Sequence, residues 1–479
     1  MKRIILLLMP LIFAYSQKMW EQVNFFDANV SRYGELERVL GEKWDKIDSL
    51  IVHGPINAAD FKTMVHSARD GALRIINLQY AQVENNKIPD SGFVDWDWYT
   101  SGRYLDIRRI ILPDDITEFG FCAFLGLTLR TINIPSSLRK LGESCFEDDK
   151  WLAVNPLIIP EGIEEIPVRC FQWCYNLKKI VLPSSLKTID MLAFFYAKIE
   201  EMNIPEGLDS IGYSAMYGTH LTEIVLPNTV KRIGNAAFSD NKRLKRVVLP
   251  KGITEIPIRL CCLCHNLNEI DIPESVIKIG RNAFQLCYEL KTELPQNLIW
   301  IGWDSFDYCA LDSIVFPSSI KNIEGGAFRD LCYLQKIYSL SKTPPICTED
   351  HANPGLGPFH GYTPNDIPVY VPIGSGEKYR QAFGWNYFTN IIETDKFPTG
   401  IMSPKMGMGN NELCKVYGKD GKLFIELPNV PASPVRYSVY DIGGSMIEQG
   451  NLTQAYTLKM PSKGVYIVRV GNTTHKIFL

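Results

Sequence analysis

Ten prolines recur through the middle of the chain at an almost fixed interval, and that recurrence limits the possible folds more than any other feature. They stand at Pro113, Pro135, Pro160, Pro183, Pro205, Pro227, Pro250, Pro273, Pro295 and Pro317, separated by 22, 25, 23, 22, 22, 23, 23, 22 and 22 residues. A sustained period in the range of about 20 to 50 residues specifies a repeat architecture before any single residue is weighed. Each repeat follows L-x-x-I-x-L-P-x-x-[ILV]-x-x-I-[GP]-x-x-[AC]-F, as in Leu221-Thr222-Glu223-Ile224-Val225-Leu226-Pro227 running on to Ile233-Gly234 and Ala237-Phe238. Apolar residues at alternate positions before the proline predict a half-buried strand, because successive side chains point to opposite faces. The proline, with no N–H to donate, stops that ladder. A second apolar pair, here Val230 and Ile233, and the small-residue-plus-Phe pair must also turn inward. One repeat cannot bury all three groups alone, so neighbours must stack into a continuous core. The expected fold is a repeat solenoid over 105–340, mainly β with short helical or irregular segments.

The repeats resemble the BspA-like leucine-rich repeats of bacterial surface proteins, since ten consecutive copies keep one register. Departures are few: Met216 and Cys261 replace the Phe, and the strand before Pro295 is one residue short. The flanks carry the resemblance further. Residues 17–104 look like an amino-terminal cap with an insertion, from Gly34-Glu35-Leu36, the strand Ile47–Val52, Ile56–Phe61 and the strand Leu73–Leu78 to Ile88-Pro89. Residues 341–395 look like the closing segment, with Pro344-Pro345, Val369–Pro372, Tyr379, Trp385 and Phe388–Ile391. Such caps are physically required, because a bare solenoid end exposes core and strand edges.

The two ends predict export. Met1-Lys2-Arg3, the apolar run Ile4–Ala14 and the small residues Ala14 and Ser16 make residues 1–16 a signal peptide with Gln17 leading the mature chain; a buried amino-terminal helix is the alternative. The run is shorter than the roughly 20 residues a membrane span needs, no later window replaces it, and no cysteine follows the site to take a lipid. From Gly400, glycines with Met402, Met406 and Met408 suggest a linker into a small β-sandwich over 400–479. Its strands are expected at Lys422–Leu427, Val435–Tyr440, Ser445–Gly450, Tyr456–Lys459, Gly464–Val470 and Lys476–Leu479. Val439–Gly444, Gly464–Val470 and Lys476 resemble the sorting domain of type IX secretion cargo, which implies transport across an outer membrane, removal of this domain and surface attachment. A permanent Ig-like accessory domain is the alternative.

Twelve cysteines in an exported chain would ordinarily suggest disulfides. Here Cys264, Cys287 and Cys309 each fall three residues after the Phe position, and Cys145 and Cys170 fill the Ala slot. Positions recurring once per turn are core positions, so a buried thiol column is expected, with disulfides between stacked turns as the alternative. Cys261-Cys262-Leu263-Cys264-His265 has the C-x-x-C-H spacing of covalent haem attachment, yet Cys261 takes the Phe slot and His265 aligns with Tyr175 and Tyr288. No cofactor is therefore expected. The histidines at 53, 66, 220, 265, 351, 360 and 475 are scattered without metal-ligand spacing, and Asp114-Asp115, Glu164-Glu165 and Glu200-Glu201 are expected on solvated surface. A net charge of -3 and the lack of a visible basic run point away from nucleic acid and from anionic membranes.

Binding is the remaining role, and two surfaces qualify. Outward strand positions are Arg109/Ile111, Thr131/Asn133, Lys179/Val181, Glu201/Asn203, Glu223/Val225, Arg246/Val248, Glu269/Asp271, Ser313/Val315 and Lys336/Tyr338. With neighbouring strands about 4.8 Å apart, Lys179 should meet Glu201, and Arg246 should meet both Glu223 and Glu269. That mixed ladder either stabilises the sheet or flanks a partner surface built on its apolar row. The second surface is Phe93–Thr100, where Trp96, Trp98 and Tyr99 stand among acids, either covering the core or offering an aromatic platform. The candidate binding residues are thus Trp96, Trp98, Tyr99, Val181, Val225, Val248, Val315 and Tyr338. The expected function is non-catalytic adhesion or protein interaction at the cell surface or after secretion. Family resemblance implies host extracellular-matrix or cell-surface proteins as partners. A glycan-binding accessory protein and an exported enzyme with an unrecognised site are the alternatives.

Overall fold

The computed structural model describes residues 24–398 and seven further strands between 415 and 478, and the chain divides into two bodies, 1–397 and 398–479. The signal-peptide segment 1–16, the methionine-bearing linker and Cys414 lie outside the described residues.

The first body is a solenoid whose strands join into parallel ladders. It opens with β1 (Phe25–Asn29), α1 (Leu36–Leu40), β2 (Ser49–Ile56), α2 (Ala58–Arg69) and β3 (Ile75–Val83). β1, β2 and β3 pair in parallel, and the ladder runs on through Arg109–Ile111 and Thr131–Ile132. The amino-terminal strands therefore begin the repeat sheet itself. After an interval of 25 residues the ladder restarts at Leu157–Ile158, and it restarts again at Glu223–Val225 and at Ser313–Phe316. The last restart follows the repeat with the short strand: no strand forms before Pro295, and the Thr292 hydroxyl donates to the Ile270 carbonyl at 3.2 Å instead.

A second parallel ladder, not foreseen in the repeat formula, forms where the x-Ile pair precedes the [GP] position. Its two-residue strands fall into three runs, which start at Lys87–Ile88, Glu165–Ile166 and Glu255–Ile256. Each start is followed by proline: Pro89, Pro167 and Pro257. Elsewhere the glycine N–H at that position donates to the isoleucine carbonyl of the preceding turn, as from Gly212 to Ile189 and from Gly234 to Ile211, both at 2.8 Å. Proline cannot make this bond, so the ladder begins afresh. Glycine is required at Gly234 by closeness as well, because a Cβ there would lie 2.5 Å from backbone atoms of Gly212 and Tyr213.

Around the Phe position a third set of bonds joins the turns. Leu192, Phe194 and Tyr196 donate their N–H groups to the carbonyls of Tyr213, Ala215 and Tyr217 at 3.0, 2.8 and 2.7 Å. Every second N–H is aimed along the axis because the residues two before and two after the Phe are left-handed, with φ of 58° at Leu192 and 54° at Tyr196. Trp173, Leu263 and Leu286 accept the same conformation without being glycine, so the inter-turn bonds outweigh its cost.

The phenylalanines stack through the core. Phe93, Phe124, Phe146, Phe171 and Phe194 follow one another at centroid distances of 5.6, 5.0, 5.4 and 5.5 Å. Met216 and Cys261 interrupt the column on either side of Phe238, and it resumes from Phe284 through Phe306 and Phe328 to Phe359. Phe93 and Phe359 come from the two flanking segments, which thereby continue the core in kind.

Beside this column runs the position three residues further on. Cys174, Cys264, Cys287 and Cys309 occupy it as buried free thiols, and each donates to the Phe-position carbonyl one turn earlier, at 3.1–3.2 Å. Cys145 and Cys170 lie side by side as free thiols, their sulfurs hydrogen-bonded at 3.4 Å with no disulfide between them. Asn241 fills the same column position, donating its amide to the carbonyls of Met216 and Phe238 at 3.0 and 2.9 Å.

Asp149 occupies the slot less well: it accepts from the Leu129 N–H at 3.1 Å, but its buried Oδ2 has no hydrogen-bond partner. Burial drives its carboxyl well above the usual range. A raised folded-state pKa means that the protonated form is favoured, so full stability exists below the ordinary carboxylate pKa and erodes as pH rises. Asp149→Asn, with its amide facing the Phe124 carbonyl as that of Asn241 faces Met216, should stabilise the fold by about 1–2 kcal/mol at pH 7. Urea unfolding at pH 7 and pH 4 checks this, and the gain should be smaller at pH 4.

The second body consists of two antiparallel sheets, one of Lys415–Lys419, Lys422–Glu426 and Tyr456–Lys459, the other of Met446–Leu452, Val435–Asp441, Val465–Val470 and Thr473–Phe478. Leu423 and Ile425 from the first and Tyr437, Val439, Leu452, Tyr466, Val468 and Val470 from the second form one buried cluster, which makes a small β-sandwich. Lys415–Lys419 is an added strand relative to the sequence expectation, and the final strand starts earlier, at Thr473.

Candidate functional site

The alternation that buries Ile180, Ile224, Val247, Ile270, Ile314 and Ile337 turns the intervening residues outward. Cα register places Lys179 opposite Glu201, and Glu223, Arg246 and Glu269 in one row. The side chains meet as the spacing predicts: Lys179 pairs with Glu201 at 2.5 Å, and Arg246 bonds Glu269 at 3.0 Å and Glu223 on its other side. These exposed pairs contribute at most ~1 kcal/mol each.

Two residues along each strand lies an apolar row. Val225 is 48% exposed, and Val181, Val248, Val315 and Tyr338 are half-buried. Three members escaped the sequence pattern. Ile158, 59% exposed, belongs to the repeat shifted by the 25-residue interval; Tyr370, stacked on Tyr338 at 4.8 Å, and the exposed Ile392 sit on strands of the closing segment. Cross-strand register, Ile180 with Leu157 and Tyr338 with Tyr370, is the signal that places them.

The aromatic segment behaves differently. Trp96, Trp98 and Tyr99 lie on a single helical turn, Trp96–Thr100, capped by Asp95, whose carboxylate accepts from the Trp98 N–H at 2.9 Å and pairs with Arg69 at 2.7 Å. Trp98 packs on the core, with Arg103 over its ring, and Tyr99 lies over Gly126, where a Cβ would sit 2.6 Å from its ring. Only Trp96 of the three faces outward, at 44% exposure, with its ring edge-on to Tyr99.

A groove of about 760 Å³ opens where the second ladder breaks before Pro257, lined by Thr188, Asp190, Ser210, Arg232, Asn235 and Glu255 among others. The densest ionic cluster lies further along the chain. Arg329 bonds Asp307 at 2.6 Å and reaches Asp350 at 3.4 Å; His360 faces Asp350 at 3.0 Å and the Gly357 carbonyl at 3.1 Å. These contacts clamp the closing segment to the last full repeat. The cationic Arg329 holds the carboxylates in place.

Burial pushes the Cys170, Cys174, Cys261, Cys287 and Cys309 thiols far up and Cys347 to about 12, so these sulfurs stay protonated at neutral pH. Cys261 and Cys264 of the C-x-x-C-H run are both fully buried, and His265 stacks on Tyr288 at 5.0 Å. Asp114, Asp115, Glu164, Glu165, Glu200 and Glu201 are all exposed. Among the described residues no group of three or more His, Cys, Asp or Glu is placed to hold a metal, and no helix is long and apolar enough to cross a membrane.

A family model of the BspA type leucine-rich repeat region matches residues 103–220, 164–291 and 209–335. A leucine-rich repeat protein of Bacteroides ovatus is 20% identical with a TM-score of 0.51, the match covering 77% of this chain and 92% of that one, a likeness that shows the fold. A leucine-rich repeat protein of T. pallidum is 29% identical over 38% of this chain and 77% of its own, TM-score 0.30. A leucine rich cell surface protein of Faecalibacterium prausnitzii is 22% identical over 65% and 83%, TM-score 0.36. No curated protein matches the chain.

Proposed function

Residues 103–335 belong to the BspA-type leucine-rich-repeat family, and from that premise we propose that the chain is a non-catalytic interaction protein, secreted or held at the cell surface, that docks a protein partner on its outward strand row. One observation carries this: the charged row is neutralised within itself by Lys179–Glu201 and Glu223–Arg246–Glu269, while the adjoining row of Ile158, Val181, Val225, Val248, Val315 and Tyr338 has apolar surface facing solvent. Exposed apolar surface rimmed by polar groups, here interrupted at Asn203 and Asp271, is what protein partners cover.

Host extracellular-matrix and cell-surface proteins are the partners to try first. The full chain should be retained on immobilised matrix proteins, and Val225→Arg with Val248→Arg should abolish retention while leaving the melting temperature unchanged, as surface substitutions do. Equal retention of the double variant removes the strand row as the docking surface. Export rests on the residues of 1–16 and the sorting role on those of 400–479. An amino terminus at Gln17 and loss of the last eighty or so residues from surface-released protein are the expected mass-spectrometric results.

The exposed Trp96 favours a second reading, a glycan platform. Trp96→Ala should then weaken glycan retention without loss of stability. Trp98→Ala, which removes a packed ring, should cost ~1–2 kcal/mol.

A further inference from the structure

Four consecutive turns deliver basic side chains to one rim of the solenoid: Lys178, Lys198, His220 and the pair Lys242-Arg243. No run of basic residues announces them, because they are about 20 residues apart in sequence and adjacent only once the turns stack. Glu200 alone faces three of them, Arg243 at 3.2 Å, His220 at 3.9 Å and Lys178 at 4.0 Å; Asp240 takes Lys242 at 3.4 Å. Lys198 has no carboxylate of its own: it donates to the Gly218 carbonyl at 3.3 Å and lies 5.1 Å from the Tyr196 ring. Four permanent positive charges thus meet two carboxylates, on a chain whose net charge is -3.

The side chains remain accessible, Lys242 at 62%, Arg243 at 54% and Lys178 at 42%. The surplus is felt inside the cluster. Burial holds Lys198 below the usual lysine range against the opposing charge of Asp240, with Lys242, Lys178 and Arg243 adding to the shift, and burial followed by Lys198, Arg243 and Lys178 does the same to His220. The His220 Nδ1 is buried without a hydrogen-bond partner.

We propose that this rim binds a linear polyanion laid along the solenoid axis, and that the ligand is a sulfated polysaccharide. Turns about 4.8 Å apart place Lys178, Lys198, His220 and Lys242-Arg243 over roughly 14 Å, so an extended anionic chain meets permanent positive charge on three of the four turns and the His220 imidazole on the other. Nucleic acid fits less well: the rim has no helix or protruding ribbon to enter a groove.

The site is separate from the strand row, and the experiment keeps them apart. The full chain is applied to immobilised heparin as the probe. Binding should weaken roughly 50-fold between 50 and 200 mM salt if four cations each displace a counterion. Lys178→Ala, Lys242→Ala and Arg243→Ala together should weaken it at least about tenfold at fixed salt, with unchanged melting. Val225→Arg with Val248→Arg should leave heparin binding no weaker. Equal binding by the triple variant overturns the site. Competition by desulfated heparin or by duplex DNA as potent as that by heparin overturns the ligand.

Discussion

Phe171→Ala should lower the stability of the solenoid by about 3–5 kcal/mol and divide its unfolding into two steps. Phe171 is fully buried and stacked between Phe146 at 5.4 Å and Phe194 at 5.5 Å, with its ring within 6° of parallel to either neighbour. Removing the ring leaves a cavity that adjacent turns cannot close, because hydrogen bonds on three sides fix their separation. Each turn touches only its neighbours, so damage at one interface uncouples the turns before it from those after it. Urea unfolding followed by circular dichroism is the measurement. Met216 shows that a flexible thioether fills the same slot, so Phe171→Met should cost less than about 1.5 kcal/mol and retain a single transition. If the alanine variant unfolded like the parent, the column would not couple the turns.

Asp60→Ala is expected to cost about 3 kcal/mol or more and to loosen the amino-terminal strands selectively. The fully buried carboxylate accepts from three backbone N–H groups, Gly34 and Asn57 at 2.8 Å and Leu36 at 2.9 Å. It closes a capping box with Asn57 at the start of α2 and ties the turn before α1 to it. Alanine removes the acceptor of all three N–H groups at once, the buried one of Leu36 included. Hydrogen exchange should show protection lost in 25–69 and retained beyond 109. Asp60→Asn, which keeps one acceptor oxygen, should be intermediate, and equal protection in all three proteins would remove Asp60 from this role.

The strand-row charge ladder was legible in the sequence. Arg246 meets Glu223 and Glu269 because each is 23 residues away, one turn. Trp98 and Tyr99 were less legible. Alternation with acids left core cover and aromatic platform both open, because it does not show that the residues form a helical turn, which packs Trp98 on the core, lays Tyr99 over Gly126 and leaves Trp96 outward. The Ile-Pro pairs were visible at Pro89, Pro167 and Pro257, but their consequence was not, because the acceptor each proline fails to reach lies on the preceding turn.

The sequence by itself determined the period, which residues turn inward and which neighbours pair across the strands. All three follow from a side-chain alternation of two and a fixed interval, which turn linear distance into spatial adjacency. Only the tertiary structure decided where the ladders break, that Phe93 and Phe359 extend the column beyond the repeats, and that Lys178, Lys198, His220, Lys242 and Arg243 share one rim. Those outcomes depend on side-chain reach across several turns and on irregular intervals such as the 25 residues before Pro160, which shift the register of everything stacked upon them.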